Sequence, residues 1–168
     1  TDYNAPFYKD FMLPTGNLRE FARGKKRADV IIVSKCPSVL SDAEKQQITE
    51  KIDASPEKKV FFTTVKYGSF NSLFNLEEQV DLKGKELIVV TGIAKSEPFI
   101  NHLTKNNNIS KHFNFPDHHR FTDKNIQEII SIFERNKDSV IVTTEKDAMR
   151  LKEQKALESL PIFYLPIE

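Results

Sequence analysis

Apolar residues recur along this chain with two different periods. Four short runs, ADVIIVSK (28–35), KKVFFTTVKYG (58–68), KELIVVTGIA (85–94) and DSVIVTTEK (138–146), are rich in β-branched or aromatic residues and bounded by Lys, Gly, Pro or Asp. Such runs predict strands. HFNF (112–115) and PIFYLPI (161–167) are shorter candidates. Their near-continuous hydrophobicity, in place of clean alternation, predicts strands covered on both faces.

Between these runs the period lengthens to that of a helix. Ser41 and Glu44 form an S-x-x-E capping box ahead of Ile48 and Ile52. Thr122 is a candidate N-cap for a helix whose Ile126, Ile129, Ile130 and Phe133 follow an i, i+3, i+4, i+7 stripe. A shorter helix from Ser96 carries Phe99, Ile100 and Leu103 on one face, and another follows Thr144. Strand–helix alternation predicts an α/β fold, with helices layered on a largely parallel sheet. The turn-rich, charged stretch 55–84 leaves room for two sheets. In open parallel sheets functional groups gather at the strand C-terminal ends, where VSKCP, TGIAKSEP, FPDHH and TTEKDA all fall.

Composition narrows the function classes. With 168 residues, 39% hydrophobic and 29% charged, the chain can bury one good core or two small ones. A net charge of +1 gives no whole-molecule pull towards nucleic acid or membrane, so anion binding must be local. The single cysteine, Cys36, cannot form an internal disulfide, which fits a reducing compartment. The apolar runs are too short to span a membrane, and no signal peptide is expected from these residues. The opening TDYNAP, without Met, reads as a piece of something longer.

Four motifs carry chemistry. REFARGKKR (19–27) holds five basic side chains, Arg19, Arg23, Lys25, Lys26 and Arg27. They can neutralise phosphates, or merely solvate a connector before a strand. In TGIAKSEP a glycine at a strand end precedes helix amides that can meet an anion, although a tight turn explains it as well. TTEKDA places Glu145, Lys146 and Asp147 at a strand-to-helix junction. Acids there suit the helix dipole, whereas Lys146 needs an anionic partner. FPDHHRFT (115–122) sets Asp117 beside His118 and His119. Neighbouring side chains on an extended segment point apart, and His102, His112 and Cys36 lack ligand spacing, so no metal site is expected. An Asp–His unit suits proton transfer, and a polar turn suits the residues equally.

The triplet DHH also names a manganese-dependent phosphoesterase family, but that family's paired-Asp and glycine-rich histidine motifs are missing here. A longer correspondence runs through DYNAPFYKDFMLPTGNLRE, ADVIIVSKCP, VTGIAKSEPF, FPDHHRF and TTEKDAMRL, in that order. In these blocks the chain resembles the carboxy-terminal part of the tetraacyldisaccharide 4'-kinase family of lipid A biosynthesis.

The resemblance implies an ATP- and Mg2+-dependent transfer of the γ-phosphate to the 4'-hydroxyl of an acylated glucosamine disaccharide 1-phosphate. It implies work at the cytoplasmic face of the bacterial inner membrane, with no nucleic-acid partner. It also implies a three-layer α/β/α architecture with a P-loop-kinase-like tail at 1–54, a linker region at 55–84 and a carboxy-terminal α/β domain at 85–168. His118 matches the family histidine that works with an aspartate base, and Asp117 would orient its ring. His119 falls at a variable position. Arg19 and Glu20 match an L-R-E motif beside the nucleotide and phosphates. Lys35 matches the strand-end T-K-C-P block, and Lys146 and Asp147 the E-K-D-A block. No G-x-x-x-x-G-K-[ST] occurs in the sequence. The chain alone is therefore expected to be inert and to hold neither ATP nor Mg2+ tightly. The other reading of the same residues is a non-catalytic α/β module for a phosphorylated or nucleotide ligand. A truncated P-loop domain is further expected to expose apolar surface around ADVIIVSK and to self-associate.

Overall fold

Ile31, Val33 and Cys36 are buried in the first strand, whereas Val30 and Ile32, which alternate with them, are exposed. This alternation belongs to a computed structural model that describes residues 1–55, 57–75 and 80–168. The chain divides into two units, Thr1–Lys66 and Tyr67–Glu168. The boundary falls inside the 55–84 stretch expected to link domains, of which Pro56 and residues 76–79 lie outside the described residues.

In the first unit β1 (Val30–Cys36) runs into α1 (Asp42–Ile52), and β2 (Lys59–Thr64) returns parallel to β1. Ser41 and Glu44 make the capping box reciprocally, each side chain reaching the other's backbone N–H. Ile48 and Ile52 of α1 close over Ile31, Val33, Val60 and Phe62. The pairs Ile31–Val60 and Val33–Phe62 thus face the helix, and Ile32–Phe61 faces away. β1 and β2 were expected to be covered on both faces. Instead Val30, Ile32 and Phe61 are each about half exposed, because α1 covers only one face.

The second unit is built on a five-stranded sheet in the order β3-β7-β6-β4-β5. Its strands are β3 (Asn71–Ser72), β4 (Glu86–Thr91), β5 (Asn108–Asn114), β6 (Val140–Thr144) and β7 (Ile162–Leu165), all parallel except β3. The helices are α2 (Glu97–Leu103), α3 (Asp123–Arg135) and α4 (Glu145–Leu151). Residues of β4 alternate between two cores. Leu87 and Val89 pack with Phe99 and Leu103 of α2. Ile88 and Val90 pack with Ile126 and Ile129 of α3 and with Ala148 and Leu151 of α4. Helices therefore cover both faces, the three-layer α/β/α arrangement expected from the continuous apolar runs.

The strand β5 begins at Asn108, four residues before the HFNF expected from its apolar content. Asn108, Ser110 and Lys111 supply no hydrophobic signal, and pairing with β4 extends the strand through them. The two-residue β3 carries none either. No helix among the described residues is long and apolar enough to cross a membrane.

Candidate functional site

From β4 the chain leaves towards α2, on one face of the sheet, and from its neighbour β6 towards α4, on the other. Connections that part in this way open a crevice at the strand C-terminal ends, where open α/β sheets bind ligands. Gly92, directly after β4, and Thr144, the last residue of β6, border that crevice. Residues 115–122, after β5, form its third side.

Asp147 ties these ends together. Its carboxylate is fully buried and accepts hydrogen bonds from the Gly92 backbone N–H (2.8 Å) and the Thr144 hydroxyl (2.7 Å). The Arg150 guanidinium, one turn along α4, donates to its other oxygen at 3.1 Å. Thr144 also caps α4 by accepting from the Asp147 N–H. A side chain at Gly92 would sit 3.1 Å from Asp147 Oδ1 and 3.5 Å from both His119 Cβ and the Pro116 carbonyl. Glycine therefore permits the close approach of the Asp147 carboxylate, while the other two are ordinary contacts. Of the TGIAKSEP backbone only the Gly92 N–H meets an anion, the Asp147 carboxylate of the protein itself, and not the amides that open α2.

The 115–122 segment is a turn rather than an extended run. His118 adopts φ +59°, left-handed for a non-glycine residue. Its N–H reaches Asp117 Oδ1 (3.0 Å) and the Gly92 carbonyl (3.2 Å). This geometry, not strand alternation, sends the two histidines apart. His119 stacks on Phe115 with ring centroids 4.5 Å apart and meets Phe121 edge-on. Its Nε2 lies 2.9 Å from Asn125 Oδ1, the side chain that completes the Thr122 capping box of α3. His118 instead leaves 72% of its side chain exposed, so its ring can meet a solute.

Around that ring stand Asp117, Lys146 and Arg150. Lys146 Nζ donates to Asp117 Oδ1 at 2.9 Å and lies 3.4 Å from His118 Nε2. Asp117 Oδ2 is 3.6 Å from the same nitrogen. Arg150 Nη2 is 3.2 Å from His118 Nδ1. The Lys146 hydrogen bond holds the Asp117 carboxyl below its ordinary value, with electrostatic help from His118 and Lys146, against an opposing effect of desolvation. Lys146 thus finds the anionic partner that its position in the first turn of α4 requires. Beside this cluster lies an open hollow of about 640 Å³ lined by His118, Arg120, Phe121, Arg150, Glu153 and Gln154.

Asp117, His118, Lys146 and Asp147 therefore come together, Asp117 and Lys146 from positions 29 apart in sequence. Arg150 was not anticipated. Its signal was the i, i+3 spacing from Asp147 within TTEKDAMRL, which places both on one helical face. The other two histidines have structural partners. His112 Nε2 lies 2.8 Å from the Thr91 hydroxyl, and the His102 ring meets Tyr67 at a tilt of 40°, with centroids 4.3 Å apart. Burial pushes both imidazoles down from their ordinary value, with Lys105 adding to the effect at His102.

In the first unit Arg19 is exposed, and Glu20 pairs with Arg27 at 2.5 Å. Lys35, left-handed at φ +59°, pairs with Asp2 at 2.8 Å. Much of the basic run holds local structure. Lys25 donates to the Ile52 carbonyl and to Asp53 at the end of α1, and Arg23 lies over the Phe21 ring. Such partners reduce what the cluster offers to an external phosphate.

Comparison with known proteins adds to this geometry. A sequence model of the LpxK family, described as tetraacyldisaccharide-1-P 4'-kinase, matches residues 1–168. The chain is 44% identical over 174 residues to the tetraacyldisaccharide 4'-kinase of Flavobacterium psychrophilum, covering 100% of this chain and 48% of that protein. Identity is 37% with the protein of the same name in Flavobacterium johnsoniae and 35% in Bacteroides thetaiotaomicron, with the same coverage. The chain thus spans about half the length of the curated relatives it matches. A crystal structure of LpxK from Aquifex aeolicus in complex with ATP has a similar fold, with a TM-score of 0.63 at 22% identity, over 99% of this chain and 45% of that one.

Proposed function

The chain belongs to the tetraacyldisaccharide-1-P 4'-kinase family, and from that premise we propose that it forms the carboxy-terminal half of an ATP-dependent lipid A 4'-kinase. The substrate is an acylated glucosamine disaccharide 1-phosphate, phosphorylated on its 4'-hydroxyl at the cytoplasmic face of the inner membrane. The observation that carries this reading is the Asp117–His118–Lys146 cluster at the crevice between strand ends, anchored from below by Asp147.

In this reading His118 assists an aspartate base in removing the acceptor hydroxyl proton, as a hydrogen-bond donor to that carboxylate, and Asp117 helps to orient the ring. Lys146 adds positive charge beside the transferring phosphoryl group, where charge stabilisation does most of the work. Arg19 and Glu20 stand on the nucleotide side, with Lys35 at the end of β1 in a supporting position. Among the described residues no group of three or more His, Cys, Asp or Glu side chains could hold a metal ion. These side chains do not fit a Mg2+ site. The sequence also lacks a phosphate-cradling G-x-x-x-x-G-K-[ST], so the 168-residue chain alone should transfer no phosphate.

The test is phosphoryl transfer from ATP to the disaccharide 1-phosphate by the whole protein that contains this chain. His118→Ala should lower kcat by roughly 10²- to 10⁴-fold, the usual scale of acid–base assistance, with little change in the KM for ATP. An unaltered kcat removes His118 from the chemistry. Absence of transfer by the unsubstituted protein overturns the functional reading itself.

A further inference from the structure

We propose that Arg150 is a positioning residue that holds His118 as its Nε2–H tautomer. The argument uses only which groups can donate and which can accept. A guanidinium has donors and no acceptor. Arg150 Nη2 stands 3.2 Å from His118 Nδ1, so that nitrogen must present its lone pair. A neutral imidazole carries one proton, which then resides on Nε2.

The surroundings of Nε2 agree. Lys146, also a donor only, lies farther off at 3.4 Å and makes its shorter bond, 2.9 Å, to Asp117. The acceptor facing Nε2 is Asp117 Oδ2 at 3.6 Å, which favours a proton on that nitrogen. Two cationic donors thus flank one imidazole, and the nearer one claims its only lone pair.

Arg150 is in turn held from behind. Its Nη1 donates to the buried Asp147 carboxylate, which the Gly92 N–H and the Thr144 hydroxyl fix in place. Strand ends, helix cap, carboxylate, guanidinium and imidazole form one relay, so the fold itself selects the tautomer. An exposed ring would otherwise rotate freely. Held in this way, it offers an outward Nε2–H to an anionic oxygen of a bound reactant. The catalytic consequence rests on the kinase reading above, whereas the tautomer does not.

The test is ¹⁵N NMR of the His118 ring in the 168-residue chain at a pH where the imidazole is neutral, with kinetics of the whole protein in parallel. The wild type should show a protonated Nε2 and an unprotonated Nδ1. Arg150→Lys can still pair with Asp147 but lacks the second arm of the fork. It should therefore keep the fold, populate the Nδ1–H form measurably, and lower kcat on the order of 10- to 100-fold through misplacement of the ring. The KM for ATP should stay as it was. Arg150→Gln should behave in the same direction, so the outcome does not depend on one variant folding. A wild-type ring protonated mainly on Nδ1, or a ring spectrum unchanged in both variants, overturns the assignment. A shifted tautomer with full turnover overturns the positioning role. Absence of transfer by the wild type instead strikes the kinase reading and leaves the tautomer standing.

Discussion

Gly92 and Asp147 are 55 residues apart in sequence and joined by a 2.8 Å hydrogen bond from backbone N–H to carboxylate. The bond locks the exit of β4 to the first turn of α4 inside a fully buried site. Asp147→Ala strands the Gly92 N–H and leaves Arg150 without its anion, a loss of about 3 kcal/mol, the scale for breaking a buried, hydrogen-bonded charge pair. Chemical denaturation should show the drop as a lower midpoint at constant slope. A midpoint unchanged from wild type would mean that the crevice is held by other contacts.

Lys146 and Asp117 set a pH dependence. The hydrogen bond depresses the Asp117 carboxyl from 3.8. A depressed folded-state value contributes stability that is present above the unfolded value and lost as pH falls through the folded one. The window therefore lies below 3.8. Lys146→Met should return Asp117 towards its ordinary value, read by carboxyl ¹³C shifts during an acid titration. An identical titration in both proteins would place the cause elsewhere.

The two adjacent histidines should separate experimentally. His119→Ala removes a stacked ring and one partner of Asn125, a cost of about 1–2 kcal/mol. Thermal unfolding should register it while kcat stays at the wild-type value. A fall in kcat comparable to that of His118→Ala would show that His119 belongs to the chemistry after all.

The open face of β1 and β2 should matter in solution. Val30, Ile32 and Phe61 are exposed at 47%, 49% and 50%, side by side on one face of the parallel pair. A cluster of this kind promotes association of the isolated 168-residue chain. Sedimentation at rising concentration should show oligomers that Phe61→Lys disperses. A chain that stays monomeric throughout would show that the exposed face is not sticky.

Much of this was legible in the sequence. The apolar runs of β4 and β6 were continuous because helices flank both faces there, and the isoleucine stripe of α3 lies on the core as its spacing required. The same inference failed at β1 and β2, whose apolar runs look alike although Val30, Ile32 and Phe61 on one face stay half exposed. A hydrophobic run does not say how many layers will pack on it. The pairing of Asp117 with Lys146 was legible only as a need, a cation in the wrong turn of a helix. Its partner lay on another loop, which topology alone brings near. Arg150 escaped notice because an arginine in a last helical turn usually needs no explanation. The turn at 117–118 separated the two histidines for a reason that strand alternation cannot supply.

The left-handed backbone at His118 has an evolutionary consequence. Asparagine occupies that conformation more readily than most residues, and glycine without strain. Histidine shares that tolerance with asparagine, so selection for robustness alone would drift position 118 towards glycine and erase the imidazole. Persistence of histidine among functional descendants would record a continuing demand for the ring, renewed each generation against the preference of the chain.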